Sequence, residues 1–536
     1  MDSVIFNPME EFDSKYKAKH LEHTTRFFDS LVKQSGVDIE QNRKTVALYE
    51  QHCERLAELR KKLTWLRFFR VLMCITLVLI PLVILKLNPR IRTLKSEIEE
   101  ADKRDDELLQ QAQRQMEPLS RLFSDRDSLT LIESTLPSLK FEPCLSVRQE
   151  ADMKINYDFD GDSDIEESTI DVLAGSYNDN PFLFENKLIH TMGTETYHGY
   201  RTIHWTETYR DSNGHLRTRT RSQTLHATVT KPKPFYSTRV VLNYCSQGGP
   251  DLSFSRDATN LDEKNERQID RYVRRGERRL KRKTDRAISD GGDFMSMSNT
   301  DFEVLFDALD RNNEVQFRTL FTPLAQTNMV DLLLSKTGYG DDFNFVKCKR
   351  TNRIISEHSQ GRDMILQAES YRSHSYDVIR SNFIDKNTEF FKAVYFDFAP
   401  LWAIPMYQER PVHSLKPIPD YTQLYSLKES EALANLLDAR QVVHPHTKTQ
   451  AILKASFVSS RGGVDKTKVT AYSYDIIGRV DIIPVLGGDG RFHNVSVRWD
   501  DYIPLVSRND FYIADADSAA DKPVMARRNG LCIYDS

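Results

Sequence analysis

Residues 71–85 read VLMCITLVLIPLVIL, fifteen positions without a charge in a chain of 536 residues of which 28% are charged. As helix this run covers about 22 Å, short of the roughly 30 Å hydrocarbon core of a bilayer. Its flanks lengthen it. Trp65, Leu66, Phe68 and Phe69 precede it and Leu87 follows. Arg70 and Lys86 have stems long enough to carry their charges back to the headgroups. Counted over 68–87 the stretch reaches about 30 Å. The eleven Leu, Ile and Val residues of 71–85 favour insertion by about 3 to 7 kcal/mol, and Pro81 is tolerated in a membrane helix. It lies too far from Met1 for a signal peptide, and no small-residue cleavage site follows.

The expectation is therefore a transmembrane or re-entrant helix over 67–88, flanked at the interface by Trp65, Arg70 and Lys86. The competing reading, a buried core helix, fits poorly with the polar sequence on both sides. Direction stays open. Arg55, Arg60, Lys61, Lys62, Arg67 and Arg70 lie upstream; Lys86, Arg90, Arg92, Lys95, Lys103 and Arg104 lie downstream. The positive-inside rule reads a difference, and here there is none. A shallow insertion kinked at Pro81, with both tails cytosolic, is the alternative.

Outward from this segment the pattern is helical. Residues 8–33 carry an imperfect apolar face that Gln34-Ser35-Gly36 breaks. From Asp38, a suitable N-cap, a second helix runs into the apolar segment with Val46, Tyr49, Cys53, Leu56 and Leu63 near heptad spacing. Asn88-Pro89 interrupts the chain. A third helix then reaches about Phe123 with Leu94, Ile98, Ala101, Leu108, Ala112 and Leu119 along one side. Such narrow seams predict coiled-coil or helix-hairpin pairing, self-association or partner helices; a solvated stalk is the alternative.

Beyond Pro137 the texture turns aromatic and β-branched. Segments 182–196, 202–210, 215–230 and 235–244 read as a β-meander over 182–244, with turns at Tyr197-His198-Gly199 and Asp211-Ser212-Asn213-Gly214. A basic helix follows at 262–288, then helices near 299–309, 323–336 and 375–384. Strands near 451–458, 468–474, 478–485 and 493–502 close the chain, with turns at Arg461-Gly462-Gly463 and Gly487-Gly488-Asp489-Gly490. The predicted class is α+β: long N-terminal helices including one transmembrane helix, then a mixed domain of antiparallel meanders and helices. The organisation reads as 1–66 helical, 67–88 membrane, 89–136 coiled-coil-like helix and linker, 137–420 α+β, and 421–536 β-rich.

A net charge of −4 excludes a generally basic nucleic-acid binder. Cys53, Cys74, Cys144, Cys245, Cys348 and Cys532 form no CxxC pair, which argues against zinc and a disulfide framework and favours a reducing, cytoplasmic setting for the main domain. The sharpest metal pattern is residues 156–167, where Asn156, Asp158, Asp160 and Glu167 fall at calcium-loop positions with Gly161 at the sharp turn. Asn156 stands where Asp is usual and Ser163 where an apolar residue belongs, so an acidic surface turn is the stronger reading. In the basic helix Arg271, Arg274, Arg275, Arg278 and Arg282 are candidates for contact with anionic lipid. A solvated outer face ranks ahead of that reading, and nucleic acid ranks behind both. Arg217, Arg219 and Arg221 share one strand face and read as a charged edge.

His444-Pro445-His446 lacks a third ligand, and Lys336-Thr337-Gly338 reads as a helix C-cap. GxSxG, Walker A, HExxH and GxGxxG are absent from the sequence, and no cofactor is indicated.

Several strings form a set: Tyr177-Asn178-Asp179-Asn180-Pro181-Phe182, Tyr197-His198-Gly199-Tyr200, RTRTRSQTL from Arg217 to Leu225, Gln247-Gly248-Gly249-Pro250, and the Phe12-Asp13-Ser14-Lys15-Tyr16 opening. With the single apolar stretch, the chain resembles an uncharacterised family of membrane proteins from mollicutes and related low-GC Gram-positive bacteria. The resemblance implies a bacterial cell-membrane protein and transfers no activity. The expected function is a membrane-anchored, non-enzymatic interaction or scaffold protein. The alternative is a membrane-tethered enzyme of unfamiliar type with its site at 387–413, where Phe390, Phe391, Tyr395, Phe396, Phe398 and Trp402 cluster.

Overall fold

The computed structural model describes residues 4–75, 86–160, 165–292, 294–412, 416–516 and 522–535, with 71–75 and 535 by backbone only. The chain is α+β and forms two compact units that cut across the five segments expected from sequence. A helical unit combines Asn7–Pro137 with Ile365–Phe398; a sheet unit combines the first residues with Ser138–Met364 and Ala399–Ser536.

In the helical unit, Asn7 caps the first turn by accepting from the Met9 and Glu10 amides. A π-turn at Phe12–Tyr16 leads into helix Lys17–Ser35. Gly36 ends that helix at φ 65°, a left-handed conformation that glycine adopts without a Cβ penalty. Asp38 accepts from the Gln41 amide at 2.9 Å and opens helix Ile39–Ile75. Helix Asn88–Ser120 starts with Pro89 in its first turn, where a missing N–H costs nothing. Phe28, Met116, Leu119 and Phe123 close a core with Tyr371, Ile379 and Phe383 from the later segment.

The expected transmembrane helix over 67–88 is only partly within view. Residues 76–85, including Pro81, lie outside the described residues. Among the described residues no helix is long and apolar enough to cross a membrane.

The sheet unit holds two antiparallel sheets. The first contains β1 (Leu139–Phe141), β2 (Glu167–Tyr177), β3 (Asn180–Arg210), β4 (Leu216–Cys245), β5 (Ser253–Arg256), β6 (Phe343–Cys348) and β7 (Thr351–Ser356), ordered β1-β2-β3-β4-β7-β6-β5. The second contains β8 (Ile452–Arg461), β9 (Val464–Leu486), β10 (Phe492–Asp515), β11 (Val524–Arg528) and β12 (Leu531–Asp535), ordered β11-β12-β10-β9-β8.

The four-strand meander expected at 182–244 is instead one long hairpin. β3 and β4 pair without a break from Phe182 opposite Tyr244 to Arg210 opposite Leu216. The turn at Asp211–Gly214 forms, whereas Tyr197-His198-Gly199 stays extended. Gly199 serves a different purpose: a Cβ there would lie 2.4 Å from the Ser496 carbonyl oxygen. The glycine marks a close approach between strands and not a reversal. The β9–β10 hairpin crosses at that point, and Ile203, Leu225 and Ala227 pack against Val495 and Val497. β9 likewise merges the two strands expected at 468–474 and 478–485, while the turns at Gly462-Gly463 and Gly490 form as expected, with positive φ.

Between the two sheets lies a buried helix, Leu427–Asn435, of sequence LKESEALAN. Ala432 joins the core against β2 and β3, and Leu433 and Ala434 join the core of the second sheet. Its charged residues are buried as well, and each is matched. Lys428 donates to Glu185 on β3 at 2.6 Å, and Glu429 pairs with Arg528 on β11. Glu431 accepts from the Thr169 amide at 3.0 Å and from Lys454 on β8 at 3.1 Å. Burial opposes the charged form of Glu185, but Lys428 outweighs it and holds the carboxyl below its usual range.

Candidate functional site

The two helices that flank the apolar segment, Ile39–Ile75 and Asn88–Ser120, form an antiparallel hairpin, and its free end is the candidate site. Leu56, Leu59, Leu63 and Leu66 recur at steps of three and four along the first arm. Leu87, Ile91, Leu94, Ile98 and Ala101 do so along the second, and the two rows pack together. This is the spacing by which apolar side chains of one helix interlock with those of another. Polar contacts fix the sense of pairing. Gln115 donates to the Thr45 hydroxyl at 3.1 Å, His52 lies 3.7 Å from Asp105, and Arg60 donates to Asp102 at 2.7 Å.

Toward the apolar segment the hairpin changes character. A cleft of about 650 Å³ lies between Lys61, Lys62, Trp65 and Leu66 on one arm and Arg90, Thr93, Leu94 and Glu97 on the other. Trp65 is 65% exposed and Phe68 63% exposed, and the Trp65 ring lies 4.4 Å from that of Phe69. Lys61, Lys62, Arg67, Arg70, Lys86, Arg90 and Arg92 are all exposed. No carboxylate occurs in the sequence between Leu59 and Glu97. Outward aromatic rings and exposed cations therefore lie together beside the uncharged run.

The other candidates fall elsewhere. Helix Val147–Tyr157 contains Asn156, whose amide donates to Asp152 at 2.7 Å and whose carbonyl accepts from the Lys416 amide at 2.8 Å. Asp158 caps that helix in the left-handed region and pairs with Arg350 at 2.8 Å. Glu167 opens β2 and pairs with Lys187 at 3.0 Å. Asp160 is exposed, residues 161–164 lie outside the described residues, and no metal-binding group of three or more His, Cys, Asp or Glu residues occurs among the described residues.

The basic helix spans Glu266–Asp290. Arg271, Arg274, Arg275, Arg278 and Arg282 are exposed and meet no carboxylate among the described residues. Gly276 is what seats this helix: a Cβ there would lie 2.1 Å from a methyl of Val304. Tyr272, Leu280 and Gly276 face inward, which leaves the arginines outward by helical periodicity.

Arg219 and Arg221 both bind Glu207 across the β3–β4 hairpin, so part of the strand's charge is neutralised. The rings of His444 and His446 are tilted to each other, with centres 5.4 Å apart.

The aromatic residues Phe390, Phe391, Tyr395, Phe396, Phe398 and Trp402 lie on helix Tyr376–Trp402 and are buried. Phe391, Tyr395 and Phe396 pack against Phe12, and the Tyr395 hydroxyl donates to the Pro8 carbonyl at 2.8 Å. Sequence gave no sign of Lys347, which is buried and donates to the Gly248 and Lys349 carbonyls at 2.8 and 2.6 Å. Burial lowers its pKa to about 7. With backbone acceptors on its ammonium and no carboxylate beside it among the described residues, it ties the 246–250 turn to the sheet.

Comparison of the chain with protein-family models, with curated proteins and with solved structures finds no match.

Proposed function

We propose that this chain is a membrane-attached interaction or scaffold protein, held by residues 71–85 at the end of the helical hairpin. The observation that carries this reading is the exposed Trp65 and Phe68 among exposed cations, directly beside fifteen uncharged residues. Apolar burial drives the attachment, and each lysine or arginine near an anionic surface adds about 1 kcal/mol. The exposed arginines of Glu266–Asp290 supply a second surface of the same chemistry. The five described cysteines are free thiols, which favours the cytoplasmic side.

The scaffold part of the reading draws on the outer face of the β9–β10 hairpin. There Val480, Ile482 and Leu486 alternate along one strand and Phe492 sits opposite Leu486, all between 56% and 72% exposed. A row of outward apolar side chains of this kind marks a contact surface. An enzymatic site at 387–413 has no comparable support, because its aromatic side chains fill a core.

The test is alkaline carbonate extraction of membranes carrying the full chain, beside a Val78→Asp, Ile80→Asp variant. Wild type should stay with the membrane and the variant should be released, since each central Asp costs roughly 2.5 to 3.5 kcal/mol of insertion. Wild type found in the supernatant without detergent, folded and monodisperse, removes the proposal.

A further inference from the structure

We infer that the chain enters and leaves the bilayer through a single face, so that the residues before 71 and those after 85 occupy the same compartment. The inference rests on the membrane attachment proposed above and deepens it.

Pairing of the two arms limits the path of the chain. The arms lie side by side from Thr45 and Gln115 up to Leu66 and Leu87, and the cleft lined by Trp65 and Arg90 shows them at one level close to the apolar run. Helices paired to that level cannot stand on opposite sides of a hydrocarbon layer about 30 Å thick. Only fifteen residues separate Arg70 from Lys86. No assumption about the conformation of 76–85 enters. A single crossing would instead require the arms to part, exposing Leu56, Leu63, Ile91 and Ile98.

Charge bears on the path as well. A crossing helix is oriented by a difference in lysine and arginine between its two flanks. Six cations on each side leave no difference, which is anomalous for a span and natural for a hairpin. Both flanks then meet the same headgroups: Lys61, Lys62, Arg67 and Arg70 on one arm, Lys86, Arg90 and Arg92 on the other.

Two native thiols provide the test. Cys53 precedes the apolar run and is partly exposed; Cys348 follows it and is exposed. Sealed membrane vesicles carrying the full chain are treated with a membrane-impermeant maleimide, with and without detergent, and labelling is mapped by mass spectrometry. The expected result is that both cysteines react before detergent or that neither does. Reaction of one before detergent and of the other only after it overturns the single-face topology while leaving attachment intact. Protein that never sediments with the vesicles overturns attachment itself, and the two failures are thereby distinct.

Discussion

Arg60 and Asp102, 42 positions apart in the chain, meet at 2.7 Å across the two arms of the helical hairpin. They fix its sense but contribute little to its strength. Both side chains are substantially exposed, and an ion pair of that kind is worth about 0.5 kcal/mol after screening. Leu63, 8% exposed within the seam, carries more. Leu63→Ala should cost about 2 to 3 kcal/mol and Arg60→Ala about 0.5 kcal/mol or less. Chemical denaturation of the detergent-solubilised chain decides between them. Equal losses would mean that the apolar rows are not what holds the arms.

His20 should make the helical unit sensitive to acid. Its ring is fully buried and stacked on Phe391 at 4.0 Å, with Thr135 at Nδ1 and the Asn387 carbonyl at Nε2. Burial lowers its pKa from 6.5 to about 3. A histidine depressed in the folded state leaves the unfolded chain to take up the proton. Its stability contribution is complete above pH 6.5 and is lost as pH falls toward 3, by about 1.4 kcal/mol per unit at most. Asp127, raised to about 6 by burial, acts in the opposite sense over part of that range. The difference between wild type and His20→Phe isolates the histidine, and it should shrink in favour of the variant between pH 6.5 and 4. A pH-independent difference would remove the assignment.

Lys428→Met should destabilise the sheet unit by about 3 to 5 kcal/mol, because it strands Glu185 as a buried charge. The partner substitution tells the two costs apart. Lys428→Met with Glu185→Leu should recover most of the loss, since neither charge then remains to be desolvated. Thermal unfolding of the single and double variants measures the coupling; a purely additive result would contradict it.

In an exposed helix Gly→Ala stabilises by up to about 1 kcal/mol. Gly276→Ala should do the reverse here, costing about 1 to 3 kcal/mol, because the new methyl meets Val304. Adding Val304→Ala should relieve the clash. Hydrogen exchange along Glu266–Asp290 gives the local readout, and unchanged protection in Gly276→Ala would show that the helix is not seated by this contact.

The arginine face should bind anionic membranes through charge alone. In the Val78→Asp, Ile80→Asp background, replacing Arg271, Arg274 and Arg278 by Gln should weaken binding to phosphatidylserine-containing vesicles about 100-fold, at roughly 1 kcal/mol per cation. Binding should also fall with salt. Co-sedimentation supplies the measurement. Equal affinity for neutral vesicles would exclude headgroup charge as the cause.

Much of the helical unit was legible. Apolar residues near heptad spacing, among them Leu56, Leu63, Leu94 and Ile98, pointed to helix pairing, Asp38 announced a helix start and Gly36 a stop. In the sheets, the turns at 211–214, 461–463 and 487–490 declared themselves through glycine with Asp or Asn. Tyr197-His198-Gly199 misled because a glycine inside a strand looks the same whether the chain reverses or a neighbour presses close. The neighbour that settles it, Ser496, lies almost three hundred residues away. Helix Leu427–Asn435 was illegible for a similar reason. LKESEALAN has the composition of a surface helix, and its partners Glu185, Arg528 and Lys454 come from strands remote in sequence. The apolar segment could be located from composition, but how far its two flanking arms pair needed the structure.

The helical unit is completed only by Ile365–Phe398, about 230 residues after its first stretch ends. At ribosomal speeds of roughly 5 to 20 residues per second, that gap lasts about 10 to 50 s. Throughout it, Phe28, Met116 and Leu119 lack Tyr371 and Phe383 as cover, and the nascent chain carries an open greasy face. Synthesis of this protein therefore calls for a chaperone or early membrane docking to guard that face, and truncation before residue 365 should yield aggregation-prone fragments instead of a folded N-terminal half.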